Sequence, residues 1–252
     1  AKLAKQYQKK TAREHILDAP DTYIGSVELG ETENWIFNEE NNKMEFKQGD
    51  WIPGLYKLFD EGIVNCRDHV IRMAQRKEKA KHTPKVQPVT YIDICISDDG
   101  TITMINDGNG IDVSEHPEHK MWIPEMIFGH LRTSTNYDKT EKKIVGGKNG
   151  FGFKLVLIWS TWGSIETVDH VRGLKYVQKF NDNLTEICPP KITKCKSKPY
   201  TKVTFHPDYK RLGIENLSPF MKSLFIKRIY DIAAVTDKKV KLKYNSELVP
   251  VK

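Results

Sequence analysis

The chain has 252 residues, 38% of them hydrophobic, which suits one large domain or two small ones with a real apolar core. Forty Lys and Arg against 33 Asp and Glu leave a net charge of +7, a balance that fits work beside a polyanion, although a run such as Arg76-Lys-Glu-Lys-Ala-Lys81 is equally a solvated surface. Cys66, Cys95, Cys188 and Cys195 form no CxxC pair, which argues against a disulfide scaffold or structural zinc and for a reducing, intracellular setting. No apolar run reaches the roughly 18 residues of a membrane span, and the start, Ala1-Lys-Leu-Ala-Lys, lacks a signal-peptide core, so no membrane partner is expected.

Residues 1 to 50 are polar and turn-rich, with a short helical stretch before a turn at Pro20-Asp21, and read as an arm rather than a core. From Pro53 to about Met73 apolar residues recur every three or four positions, predicting a helix. Phe59, Ile63, Cys66, Val70 and Met73 fall on one arc, and Glu61, Asn65, Asp68 and Arg72 on the opposite one. Val89 to Ser97 alternates as a strand, and Asp99-Gly100 turns it back into Thr101 to Ile105. Loops surround a short helix near Pro124 to Leu131, and the glycine-rich stretch Gly146 to Gly152 opens onto an apolar segment, Lys154 to Trp159. Strands are predicted near 161–169, 173–180 and 200–206. A helix over 218–234 is capped by Ser218 with Pro219 at its first position, and a hairpin around Asn245-Ser246 ends the chain. Helices and strands segregate, which favours an α+β, two-layer α/β sandwich over a doubly wound parallel sheet.

Three polar groupings carry chemistry. Glu61 and Asn65 sit one helical turn apart, so a carboxylate able to deprotonate water stands beside a hard amide oxygen suited to magnesium, with Arg72 two turns further on. Asn106-Asp107-Gly108-Asn109-Gly110 follows a strand directly. Its glycines admit a ligand close to the backbone, and Asp107 can accept from an exocyclic amine such as that of adenine. Gly146-Gly-Lys-Asn-Gly-Phe-Gly-Phe-Lys154 places four glycines in seven residues, an anion cradle to which Lys154 adds a point charge. It lacks a Walker ending and matches no dinucleotide fingerprint. His116-Pro-Glu-His119 has metal-like spacing but reads as two loop histidines, and Trp159 and Trp162 read as core or interface aromatics.

Six segments, namely Tyr7-Gln-Lys-Lys-Thr, Pro20-Asp-Thr-Tyr-Ile-Gly-Ser26, Pro53 to Glu61, Leu131-Arg-Thr-Ser-Thr-Asn-Tyr-Asp138, Gly146 to Gly152 and Tyr200-Thr-Lys-Val-Thr-Phe205, resemble the ATPase domain of eukaryotic-type type II DNA topoisomerases. That domain belongs to the GHKL (Bergerat) superfamily shared with gyrase, heat-shock chaperone and mismatch-repair ATPases. The resemblance implies a mixed, mostly antiparallel sheet with helices on one face, an arm over 1–30 that serves as dimerisation strap, and an ATPase domain over 31–252. The transducer, the cleavage core and the C-terminal regions would lie beyond Lys252. It makes Glu61 the general base and Asn65 the magnesium ligand of a bound ATP. His69, Arg72, Ser134, Thr135 and Asn136 would meet ribose and phosphates. Gly147, Lys148, Asn149, Gly150, Phe151, Gly152, Phe153 and Lys154 would wrap the triphosphate, Asp107 and Thr204 would sit at the adenine, and Tyr7 would reach the partner's nucleotide. The implied function is a gate that dimerises on ATP and drives DNA strand passage, with DNA as partner of the full-length enzyme. The alternatives are a dimerisation module without turnover, a basic DNA scaffold, or another ATPase of the superfamily. Eukaryotic members commonly carry Asn at the Asp107 position. Cys66-Arg-Asp-His69 replaces the usual Ala-Ala-Asp-Asn, and Phe153 replaces a small residue. These departures point to a large DNA virus rather than a cellular nuclear enzyme, and the implied setting is intracellular: the nucleus, or host cell and virion if the source is viral.

Overall fold

The computed structural model describes residues 10–79, 86–131 and 152–250. In chain order they form α1 (Ala12–Asp18), a 3-10 turn (Pro20–Thr22), β1 (Gly30–Asn38), β2 (Lys43–Trp51), α2 (Pro53–Lys79), β3 (Tyr91–Ile96) and β4 (Ile102–Asp107). There follow α3 (Ile123–Gly129), α4 (Gly152–Ile158), β5 (Ser160–Asp169), β6 (Leu174–Asn181), β7 (Glu186–Ile187), β8 (Lys191–Lys194) and β9 (Tyr200–Pro207). The last elements are α5 (Pro219–Ala234), β10 (Lys241–Tyr244) and β11 (Glu247–Leu248). Nine strands make one sheet in the order β11-β10-β3-β4-β9-β5-β6-β7, with β8 also on β6, while β1 and β2 pair separately. Among these pairings only β10 with β3 is parallel, so the sheet is mixed and mostly antiparallel as expected.

Side-chain alternation decides which face of the sheet is covered. On β4, Ile102, Met104 and Asn106 are buried. On β9, Val203 and Phe205 are buried, and their register partners on β5 are Ile165 and Gly163. A Cβ at Gly163 would meet Leu157 of α4 at 2.4 Å, and one at Gly62 would meet Met104 at 2.4 Å, so α2 and α4 lie on this face. α5 completes the helical layer through Phe225, which stacks on Phe59 at 4.2 Å between ring centroids. The core is the apolar sheet between these contacts. Removing such side chains from water contributes about 1.5–3 kcal/mol each.

The predicted helices and strands from Pro53 onward are all present, with α2 running six residues past Met73. The arm reading of residues 1 to 50 needs correction over its described part. Ile16 of α1, Ile24, Ile36 and Phe37 are buried in the core, and β1 and β2 form a hairpin. α1 is held by a capping box in which the Thr11 hydroxyl accepts from Glu14 N and the Glu14 carboxylate accepts from Thr11 N. All four cysteines are free, and burial pushes the Cys66 thiol up to about 12, leaving it inert. Among the described residues no helix is long and apolar enough to cross a membrane.

Candidate functional site

One stripe of α2 points away from the apolar core, and the first turn of α4 and the loop after β4 come to meet it. At its start, Lys57 and Glu61 form an ion pair one turn apart, with Nζ 2.7 Å from Oε1. The other oxygen, Oε2, lies against Gly152. A Cβ built there would come within 2.4 Å of it and 4.0 Å of Asn65 Nδ2. The acid, the amide and the first residue of α4 therefore converge, because Gly62 lets α2 approach β4 closely and Gly152 leaves the backbone bare. Phe153, expected on the triphosphate, instead packs edge-on against Phe128 and Phe205 at 5.5 and 5.9 Å, anchoring α4 to the core. Lys154 is buried in the same turn.

Two turns along α2, Arg72 Nη2 lies 3.3 Å from His69 Nδ1 and His69 Nε2 lies 2.8 Å from the Asn109 carbonyl. A guanidinium only donates, so Nδ1 accepts and the proton sits on Nε2, which donates to Asn109. Burial, and then the charge of Arg72, pull the His69 pKa down to about 4, so the ring is neutral at pH 7. Burial also lowers the Arg72 pKa. The loop reaches His69 because Gly108 adopts φ +88°, where a Cβ would lie 2.7 Å from Val89 and 3.3 Å from His69 Nε2. His69 thus joins α2 to the loop after β4.

Asp107 is held at the start of β3. Its Oδ1 accepts from Thr90 N at 2.6 Å and Tyr91 N at 3.0 Å, and its Oδ2 accepts from the Thr90 hydroxyl. Thr204 lies on the other face of the sheet, opposite Thr103 and Ser164, away from Glu61 and Gly152. The helix-side position is Thr201, paired with Asn106 on β4 and with Thr167 on β5. Thr167 is fully buried. Its hydroxyl accepts from Ile111 N at 2.9 Å, donates to Tyr200 O at 3.0 Å and lies 3.0 Å from Thr201 Oγ1, tying the loop after β4 to β5 and β9. The signal for Thr201 was present in the sequence. Val203 and Phe205 are the apolar residues of Tyr200-Thr-Lys-Val-Thr-Phe205, so strand parity puts Thr201 on their side and Thr204 on the other.

Tyr7, Ser134, Thr135, Asn136, Gly147, Lys148, Asn149, Gly150 and Phe151 lie outside the described residues. Among those described, no group of three or more His, Cys, Asp and Glu could hold a metal ion, and His116 Nδ1 faces the backbone of Glu118 and His119. The hard oxygens of the site are those of Glu61 and Asn65.

No family model matches the chain. The DNA topoisomerase 2 of Acanthamoeba polyphaga mimivirus is 46% identical over 243 residues, which is 94% of this chain and 18% of that protein. The DNA topoisomerase 2 of Saccharomyces cerevisiae is 46% identical over 229 residues, 90% of this chain and 15% of that protein. The crystal structure of the ATPase region of Saccharomyces cerevisiae topoisomerase II superposes with a TM-score of 0.84 at 41% identity, over 99% of this chain and 63% of that one. Over nearly its whole length the chain matches the ATPase region of topoisomerase II. The ATPase domain of Thermus thermophilus gyrase B, at 20% identity and a TM-score of 0.62, shares the fold. The chain thus has the α+β fold of these ATPase regions, a mixed sheet with its helices on one face. The viral and the yeast relatives are equally identical, so identity does not separate the two kinds of source. This chain spans less than a fifth of either relative.

Proposed function

We propose that the chain binds ATP with magnesium, hydrolyses it, and serves as the nucleotide-operated gate of a type II DNA topoisomerase, dimerising on ATP to drive strand passage. The observation that carries this reading is the convergence of Glu61 and Asn65 on Gly152. Glu61 is the general base. Lys57 holds Oε1, so the carboxylate stays oriented, and Oε2 on the Gly152 side takes the proton of the attacking water. The Asn65 amide oxygen and the Glu61 carboxylate suit a magnesium ion, which takes few protein ligands where phosphates supply the rest. When bound, that ion would neutralise phosphate charge. Lys154, with the glycine stretch before it, supplies positive charge to the triphosphate.

Asp107, the expected adenine reader, has the strand parity of Thr103 and so projects from the face that also carries Thr204, where Thr90 and Tyr91 take up its carboxylate. Asn106, buried on the helix side and paired with Thr201, is the residue whose side-chain oxygen can accept from the adenine amine. Thr201 on the helix face, not Thr204, is the threonine that can line this end. Neutral His69 stands where relatives carry Asn. It holds the loop after β4 and aims Arg72, without adding charge to the site.

Titration calorimetry with a non-hydrolysable ATP analogue should give binding that weakens when magnesium is chelated. Glu61→Gln should bind the analogue as the parent does and lose hydrolysis about 10²–10⁴-fold. Equal turnover by variant and parent would remove Glu61 from the role of base, and an absence of heat with any adenine nucleotide would end the reading.

A further inference from the structure

The β1–β2 hairpin presents a surface that the nucleotide site leaves unused. Its register pairs Glu31 with Asp50, Glu33 with Gln48, Trp35 with Phe46 and Phe37 with Met44, all on one face. The opposite face turns inward. Ile36 is buried there, and Gly49 sits so near Phe220 of α5 that a Cβ would lie 2.4 Å from its ring. On the outward face Trp35 is 51% exposed, Phe46 56% and Met44 38%, and Leu29 just before β1 is 57% exposed. Only Phe37, near the hairpin tip, folds back to stack on Tyr230.

Trp35 and Phe46 meet edge to face at 5.7 Å. Such a cross-strand pair steadies a hairpin by about 0.2–1 kcal/mol, which accounts for the pair but not for Met44 and Leu29 beside it. Charge gives the patch a sign. Glu31, Glu33 and Asp50 are exposed on this face, whereas Lys43 and Lys47 belong to the other set of the alternation. The face therefore carries three carboxylates and no cation, in a chain whose net charge is +7. Nucleic acid would be repelled. A second copy of the same face would set carboxylates against carboxylates under two-fold symmetry.

We propose that this face docks a lysine- or arginine-rich peptide segment of a partner protein that carries one or two apolar side chains. The apolar residues cover Trp35 and Phe46, the residue types that concentrate binding energy at interfaces, and the cations meet Glu31, Glu33 and Asp50. A cation over the Trp35 ring adds to the attraction.

The test is a titration of the chain, ¹⁵N-labelled at tryptophan indoles, with a ten-residue peptide of alternating lysine and leucine, the Trp35 signal being assigned through Trp35→Phe. The expected result is a saturable shift of the Trp35 indole that weakens with salt. A peptide of alternating glutamate and leucine should leave that signal in place. Reversing the charges (Glu31→Lys, Glu33→Lys, Asp50→Lys) should weaken binding at least about tenfold while the Trp35–Phe46 pair and the dispersed indole signals remain. Phe46→Ala should weaken it as well, with the melting temperature recorded alongside. Four outcomes would overturn the proposal: unchanged affinity in the charge-reversed chain, equal binding of the glutamate peptide, no Trp35 shift at saturating peptide, or self-association of the chain that Trp35→Ala abolishes.

Discussion

At the scale of single residues the site rests on two contacts that substitution can separate from the fold. Gly152 bears no side chain because Glu61 Oε2 occupies the space where one would project. The obstacle is the far end of a flexible side chain, so Gly152→Ala should change unfolding free energy by less than about 1 kcal/mol. It displaces the base, and hydrolysis should fall more than about tenfold. Urea unfolding beside a phosphate-release assay would show the split, and a variant that hydrolyses normally would mean that Oε2 is not the working oxygen. His69 supplies a second handle. Burial holds its pKa in the fold at about 4, below the ordinary imidazole value of 6.5. The unfolded chain therefore binds a proton as pH drops below 6.5, and the folded chain does not until about 4. Stability from this residue is fully present above pH 6.5, declines through that window and levels off below it. At 1.36 kcal/mol per unit the decline is at most about 3 kcal/mol. His69→Asn removes that component. Its unfolding free energy should fall less than the parent's between pH 7 and pH 4.5, and parallel losses would show that His69 is not the titrating group.

At the scale of elements, legibility followed periodicity. α2 could be read because its buried arc repeats, and α5 because Ser218 and Pro219 announce its start. The Ser218 hydroxyl does accept from Met221 N at 3.2 Å, so Ser218→Ala should cost about 1 kcal/mol in urea unfolding and Ser218→Gly only a few tenths. Equal costs for the two would mean that the cap bond contributes nothing. Where the pattern breaks, the reading faded: the short helical stretch ahead of Pro20 was legible and is α1, but its place in the core was not. α1 buries one residue, Ile16, and one apolar contact makes no repeat. The β1–β2 hairpin inverts the usual alternation, placing Trp35, Phe46 and Met44 in water and Gly49 inside. Near the end of α2, Arg76, Lys77 and Glu78 are charged and exposed in succession, so the helix continues there without a buried face. That Glu61 and Asn65 would share one stripe of α2 was legible because their spacing is local. The engagement of Asp107 by Thr90, and the face on which Thr204 lies, depend on register between strands far apart in sequence.

At the scale of the molecule, the proposed nucleotide site belongs to no single stretch of chain. Glu61, Asn65, His69 and Arg72 come from α2, Asn106 from β4 and Asn109 from the loop after it, and Gly152 and Lys154 from α4, more than eighty residues after Asn65. The sheet brings them together, so a ligand that touches all three parts is bound by the folded state and not by the unfolded one. Binding of that kind stabilises by RT ln(1 + [L]/Kd), about 2.7 kcal/mol at a hundred times Kd. For a chain of this length each kcal/mol moves the melting temperature by about 2–4 °C. A saturating ATP analogue with magnesium should therefore raise it by roughly 5–10 °C. Chelating the metal should remove much of the rise, and Asn65→Ala should respond alike with and without chelator. If the complex also dimerises, the melting temperature will climb with protein concentration only while nucleotide is present, because association then enters the same equilibrium. A rise indifferent to both chelator and Asn65→Ala would place the ligand elsewhere than on the face of α2 that carries Glu61.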